Sequence, residues 1–166
     1  MMTIKANIPA PRPRVFIETG TYKGDTVAEM KPVFGSVISI EIDNALYLKA
    51  RSRFERDANV SIRQGDCVSE LPAILDGLKE PAVFWLDGHY SGGGTGKGVV
   101  EDPILISLEQ ISAHSVKGHA IFIDDARTFD GREGRPELHE VLAKLKQINP
   151  LYLLRIQNDI IVAAAG

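Results

Sequence analysis

The chain has 166 residues, the size of one domain, and its composition of 44% hydrophobic and 25% charged residues excludes wholesale disorder. Its 19 basic and 22 acidic residues leave a net charge of −3, which argues against nucleic acid as the main partner. The single cysteine, Cys67, excludes an internal disulfide and a zinc site built on cysteines. Neither a membrane span nor a signal peptide is predicted, so we expect a cytoplasmic protein with no membrane partner.

The N-terminal segment differs in character from the rest of the chain. Prolines at positions 9, 11 and 13 predict an extended arm over residues 1–14. No later stretch resembles a linker, so residues 15–166 are predicted to form a single domain.

From residue 15 onward, short apolar runs alternate with helical stretches. The runs are rich in β-branched and aromatic residues and mostly continuous, which is typical of strands buried on both faces; they lie at 15–17, 37–40, 60–62, 83–86 and 120–123. Helices are predicted at 25–30, 44–56, 69–78, 103–115 and 136–147. Two closing strands, at 151–156 and 160–164, predict an antiparallel hairpin. This order predicts an α/β fold, a parallel sheet with helices on both faces.

Acidic residues follow every predicted parallel strand. Ligands bind outside the carboxyl ends of such strands, so these acids predict an acid-lined crevice; they are Glu18, Glu41, Asp43, Asp66, Asp87, Asp124 and Asp125. The alternative is that each acid starts a loop or caps a helix.

The first turn, ETGTYKGDT, offers a binding loop for a cationic ligand. Gly20 and Gly24 let the backbone pass close to a ligand, but the turn lacks the GxGxxG pattern of dinucleotide sites. Glu18 would repel a pyrophosphate and attract a sulfonium that carries an α-amino group. Thr21 and Thr26 could bind the ligand's carboxylate, beside the positive end of the following helix.

Five motifs in order, ETGTYKGDT, SIEID, QGDCVSELP, FWLDGHYS and IFIDDAR, resemble class I S-adenosylmethionine-dependent methyltransferases. Within that group the chain is most similar to metal-dependent O-methyltransferases of the catechol and macrocin types, over about residues 15–164. The resemblance implies a doubly wound, mostly parallel, seven-stranded Rossmann-like sheet that ends in an antiparallel hairpin.

The resemblance also assigns roles to residues. Glu18, Gly20, Thr21, Gly24 and Thr26 would surround the methionine part of the cofactor. Glu41 would accept hydrogen bonds from the ribose hydroxyls, as acids at this position do in nucleotide sites. The adenine would lie against Ile42, Asp66 and Cys67.

A magnesium ion is implied at the acids after the fourth and fifth strands. Asp87, Asp124 and Asp125 match the metal-binding positions, and carboxylate oxygens suit a hard divalent cation. The metal would lower the pKa of a substrate hydroxyl, so Asp87 counts as catalytic too. The alternative is that Asp87 caps a turn and Asp125 pairs with Arg127.

The general base is less clear from the sequence. Catechol-type enzymes have a lysine three residues after the first metal acid, where this chain has Tyr90. His89 is the candidate base, since it titrates near neutrality, and Lys97 is a second substitute. Alternatively, His89 packs on the adenine or caps a loop. The glycine-rich segment 91–98 fails the phosphate-loop pattern and predicts a lid or, alternatively, a plain surface loop.

These features predict a methyltransferase that moves the methyl group of S-adenosylmethionine to a hydroxyl of a small metabolite, of sugar or polyketide type. The alternatives are a nucleotide (NAD-type) oxidoreductase and a cofactor-binding module without catalysis. The short N-terminus suggests an open site or a homodimer whose second subunit covers it.

Overall fold

One sheet of seven strands organises the protein. The structure, a computed structural model, describes residues 2–87 and 102–165. The strands are β1 (Val15–Thr19), β2 (Ser36–Glu41), β3 (Val60–Gln64), β4 (Ala82–Leu86), β5 (Ala120–Ile123), β6 (Tyr152–Gln157) and β7 (Ile160–Ala165). Each predicted apolar run became a strand, and most of the strands extend one or two residues further.

The strand order is β3-β2-β1-β4-β5-β7-β6. The first five strands are parallel, and β7 runs antiparallel to both β5 and β6. Asn158 and Asp159 form the hairpin turn, both with positive φ, as a two-residue turn between twisted strands requires. The predicted doubly wound, mostly parallel, seven-stranded α/β sheet with a C-terminal antiparallel hairpin is therefore confirmed.

In the described ranges, six helices cover the two faces of the sheet. They are α1 (Met2–Ala6), α2 (Asp25–Met30), α3 (Asn44–Arg53), α4 (Cys67–Gly77), α5 (Ile104–Ala113) and α6 (Leu138–Ile148), and a short 3₁₀ helix spans Ala126–Thr128. Helix α3 ends three residues before the predicted end. Among the described residues, no helix has both the length and the hydropathy needed to cross a membrane.

The core has two layers, one on each face of the sheet. Ile17 and Phe84 point to the layer that holds α4, α5 and α6, with Leu108 and Leu145 at its centre. The side chains of their chain neighbours point to the other layer, which also contains the buried residues of α1 and α2. Members of this second layer include Phe16, Trp85, Phe122, Val27 and Met30. Because the strands are buried on both faces, the apolar runs in the sequence are continuous.

The N-terminal segment corrects one prediction. Residues 1–14 were expected to be extended, but residues 2–6 form α1, and Ile4 is fully buried in the second core layer. The prolines that suggested an extended arm begin only at position 9, so they do not oppose a helix before them. Burial of an apolar side chain favours this helix, which the proline pattern could not reveal.

Helix α4 contains a proline in its interior, Pro72. A proline lacks the N–H that would bond to the carbonyl four residues earlier, here that of Val68. The side chain of Gln110 on α5 donates to this carbonyl at 2.8 Å, so the break in the helix is satisfied by a neighbouring element.

Candidate functional site

The parallel strands deliver their acids to one edge of the sheet, as predicted. Two of the acids are also helix caps, because Asp43 accepts from the Leu46 N–H and Asp66 from the Val68 N–H, each at 2.8 Å. For these two, the alternative interpretation as capping residues holds. The remaining acids divide into two groups: Glu18 and Glu41 beside the turn after β1, and Asp87, Asp124 and Asp125 after β4 and β5.

Glu18 lies beneath the turn after β1. Its side chain is 1% exposed, and its carboxyl accepts a hydrogen bond from the hydroxyl of Ser39, its register partner on β2. The Ser39 hydroxyl lies 2.6 Å from that of Thr21, and the side chain of Thr26 also hydrogen-bonds to Glu18. Glu18, Thr21 and the half-buried Thr26 therefore belong to one hydrogen-bond network, and direct contact of each with a ligand stays a prediction.

Burial raises the pKa of Glu18 to about 8. Loss of hydration is the main cause, because it disfavours the charged form. The Ser39 and Thr26 hydrogen bonds act in the opposite direction, whereas the nearby charges of Asp87 and Glu41 raise the pKa further. A positive charge bound above this turn would favour the ionised carboxylate.

Glu41 fixes the shape of the same turn. One of its carboxylate oxygens accepts the Tyr22 N–H at 2.7 Å, and the other accepts the Asp43 N–H at 2.9 Å. The N–H groups of Gly20 and Thr21 bond to the Ile40 carbonyl, so the turn is pinned to the end of β2. A carboxylate has about four acceptor positions, which leaves room for further donors on Glu41.

Gly24 closes the turn in a left-handed conformation, with φ of 80°. A Cβ there would lie 2.7 Å from the ring of Phe54, so both conformation and space disfavour a larger residue. Its N–H bonds to the Thr21 carbonyl at 2.8 Å, which directs the chain into α2.

The three residues expected near an adenine follow β2 and β3. The Gly65 N–H bonds to the Glu41 carbonyl at 3.0 Å, so the ends of these strands are tied together. Ile42, Asp66 and Cys67 are half-buried on the segments that follow. Burial, with a contribution from the Asp66 charge, raises the pKa of the Cys67 thiol to about 11, which does not suit a nucleophile.

Asp87 follows β4 and is held by β1. Its N–H bonds to the Thr19 carbonyl at 3.1 Å and lies 3.2 Å from the Thr19 hydroxyl. Burial raises the pKa of Asp87 to about 7, and the charges of Asp124 and Asp125 add to this increase, while the Trp85 indole opposes it. Asp87 is thus an acid that exchanges a proton near neutrality.

The three acids do not form a three-ligand metal site. Within residues 2–87 and 102–165, no group of three or more histidine, cysteine, aspartate or glutamate side chains is arranged to hold a metal ion. Asp125 instead forms an ion pair with Arg127 at 2.8 Å, the alternative that the sequence offered. The donor set expected for magnesium is therefore divided, and no step of the chemistry below depends on a metal.

Some predictions concern residues outside the described ranges. They are the proposed base His89, the residues Tyr90 and Lys97, and the glycine-rich segment 91–98. Sequence reasoning in turn missed Ser39, the donor to Glu18. Its signal was available, because Ser39 is a polar residue inside the apolar run 37–40, but its partner depends on strand register.

Comparisons with known proteins agree with this fold. No protein-family model and no curated protein matches the sequence. An O-methyltransferase from Bacillus cereus in complex with SAH superimposes with a TM-score of 0.64 and 18% identity, over 98% of this chain and 87% of that one. A precorrin-6y C5,15-methyltransferase from Geobacter metallireducens superimposes with a TM-score of 0.66 and 13% identity, over 98% of this chain and 87% of that one. The 23S rRNA methyltransferase ErmE superimposes with a TM-score of 0.59 and 15% identity, over 92% of this chain and 61% of that one. At these identities the likeness shows the fold alone, and this chain has the fold of these methyltransferases.

Proposed function

We propose that this protein is an S-adenosylmethionine-dependent methyltransferase whose acceptor is a hydroxyl of a small metabolite, of sugar or polyketide type. The observation that carries the proposal is the turn after β1, with the carboxyl of Glu18 beneath it and that of Glu41 beside it. This turn follows β1, the strand from which the chain winds first toward β3 and then back to β4. Ligands of doubly wound sheets bind at such a reversal of strand order.

Electrostatics support a cationic ligand over a nucleotide pyrophosphate. Burial is the main cause of the raised pKa of Glu18, and repulsion from the charges of Asp87 and Glu41 adds to it. A sulfonium with an α-ammonium group would relieve this repulsion, whereas a pyrophosphate would add to it. The O-methyltransferase from Bacillus cereus, in complex with SAH, has the same fold and adds support.

The residues of this chain divide the work of methyl transfer. S-adenosylmethionine, when bound, supplies the methyl group of its sulfonium. Glu41 would hold the ribose hydroxyls, and the Gly20–Gly24 turn would align the methyl group with the acceptor oxygen, since alignment provides much of the rate enhancement. The Asp87 carboxylate would take the proton that the acceptor oxygen loses as it gains the methyl group; a base with pKa of about 7 suits this task. A cytoplasmic location and a homodimer that covers the site belong to the same proposal.

Isothermal titration with SAH and with NAD tests the proposal. We expect SAH to bind and NAD not to bind, and we expect Glu41→Gln to weaken SAH binding by about tenfold, because a charged acceptor becomes neutral. Glu55→Gln, an exposed position on the same stretch of chain, is the control and should leave affinity unchanged. NAD binding without SAH binding would instead favour the oxidoreductase.

A second measurement separates the enzyme from a binding module. A panel of hydroxylated metabolites is incubated with S-adenosylmethionine, and release of SAH is followed with and without Mg²⁺. Release that depends on one class of acceptor supports the proposal. Cofactor binding without transfer to any acceptor would assign the protein to the non-catalytic class.

A further inference from the structure

The segment after β5 forms a tight turn that is tied to the terminal hairpin. Asp125 has a left-handed backbone, with φ of 53° and ψ of 48°, and its carbonyl accepts from both the N–H and the hydroxyl of Thr128. The N–H of Ala126 bonds to the Asp159 carbonyl at 2.8 Å, and the Arg127 N–H bonds to the Asp159 carboxylate at 2.9 Å. Four hydrogen bonds thus hold this turn in place.

The Arg127 side chain folds back over this turn. Its guanidinium contacts the carboxylate of Asp125 at 2.8 Å and also pairs with that of Asp159. Two acids that belong to different elements therefore share one cation. Asp125 is also one of the charges that acts on Asp87, so this cation lies within the electrostatic range of the acidic edge.

We propose that Arg127 is the resident cation of this edge and that, by holding Asp125, it keeps the Asp87, Asp124 and Asp125 carboxylates from taking up a divalent ion. Arg127 is a positioning residue in this account.

Two physical arguments support this assignment. A guanidinium is never deprotonated in proteins, so its charge is permanent, and it opposes a divalent ion placed on the same carboxylate. Magnesium also requires near-ideal octahedral geometry, with its oxygen ligands at about 2.0–2.1 Å. Asp124 is partly committed as well, because one of its carboxylate oxygens accepts the Asp125 N–H at 2.9 Å.

Magnesium titrations of the free protein test the inference. We expect the wild type to have the same melting temperature in about 10 mM MgCl₂ as in NaCl of equal ionic strength, because an ion that does not bind the folded state does not stabilise it. Arg127→Gln should gain a saturable rise in melting temperature with Mg²⁺, because it removes a unit charge beside the carboxylates. Arg127→Lys keeps the charge and should behave as the wild type does.

The matched control is Arg132→Gln, a more exposed arginine of the same loop, whose nearest acid is 4.0 Å away. It should not gain Mg²⁺ binding. Saturable Mg²⁺ stabilisation of the wild type that Asp124→Asn abolishes would overturn the inference, as would an Arg127→Gln variant that does not respond. No cofactor is used, so failure here leaves the proposed methyltransferase function standing, and failure to bind SAH leaves this result standing.

Discussion

Glu18 and Ser39 illustrate how a buried acid is accommodated at one register position. A carboxyl that is 1% exposed has lost its hydration, and the chain offsets this cost with hydroxyl donors from β2 and α2. Those donors favour the charged form, yet the pKa is still raised, so desolvation outweighs hydrogen bonding. With its pKa raised to about 8, Glu18 holds its proton at neutral pH, and a bound cation would favour loss of that proton.

The raised pKa of Glu18 makes stability depend on pH. The folded state binds this proton up to about pH 8, whereas the unfolded chain releases it near the ordinary value of 4.5. The free energy of unfolding should therefore fall as pH rises through this window. Glu18→Gln cannot ionise, so at pH 9 it should be more stable than the wild type, by on the order of a few kcal/mol.

Urea midpoints between pH 5 and pH 9 measure this effect. Asp87, whose pKa is raised to about 7, contributes a fall in the same direction at lower pH and should remain in the variant. Glu55→Gln, at an exposed position, should follow the wild-type curve. Equal slopes for wild type and Glu18→Gln between pH 7 and 9 would show that Glu18 ionises normally.

At the scale of elements, the turn from β1 into α2 depends on a contact between Gly24 and Phe54, the residue that follows the last turn of α3. Gly24 has a backbone that favours glycine, and the Phe54 ring occupies the space where a side chain would start. The turn is therefore shaped by a neighbouring element as well as by its own sequence. Any substitution that moves Gly24 should also move the backbone proposed to meet the cofactor.

Gly24→Ala and Gly77→Ala should shift stability in opposite directions. Gly24→Ala should destabilise the fold by about 1–3 kcal/mol, because it combines positive φ with overpacking. Gly77 lies in the last turn of α4, with nothing within 4 Å of an added Cβ. Gly77→Ala should stabilise by up to about 1 kcal/mol, because it reduces the entropy of the unfolded chain.

Denaturant unfolding of both variants decides the matter, and SAH titration adds a second readout. Only Gly24→Ala should weaken SAH binding, since Gly77 is remote from the turn. If Gly24→Ala raised the free energy of unfolding as Gly77→Ala does, the packing of Gly24 against Phe54 would not be what restricts this position.

At the scale of the whole molecule, the two ends of the chain hold each other in place. Helix α1 inserts Ile4 into the core, and the side chain of Asn158 in the terminal turn donates to the Thr3 hydroxyl at 3.0 Å. Asn7 bonds to Arg155 and Gln157 of β6. The N-terminal segment thus covers the hairpin and contributes to folding.

Ile4→Ala should destabilise the protein by about 2–4 kcal/mol, the usual cost of emptying a fully buried aliphatic site. Lys5→Ala, the neighbouring position with an exposed ion pair to Glu29, should cost less than about 1 kcal/mol. Urea midpoints of the two variants provide the test. Equal, small losses would mean that α1 is detached in solution.

The sequence by itself determined the strands, the parallel order and the edge where the acids gather. A continuous run of β-branched residues indicates a strand that is buried on both faces. The carboxyl ends of parallel strands lie at the same edge of a sheet, however the helices pack on it. Only the tertiary structure decided which acids are buried, capped or paired. The raised pKa of Glu18 depends on its burial within the folded sheet, and the hydrogen bond that opposes it depends on the register of Ser39. The pairing of Asp125 depends on a turn tied to Asp159, and the helix at residues 2–6 depends on a core built from distant strands. Each of these is set by groups far apart in the chain, and local patterns carry no information about such distances.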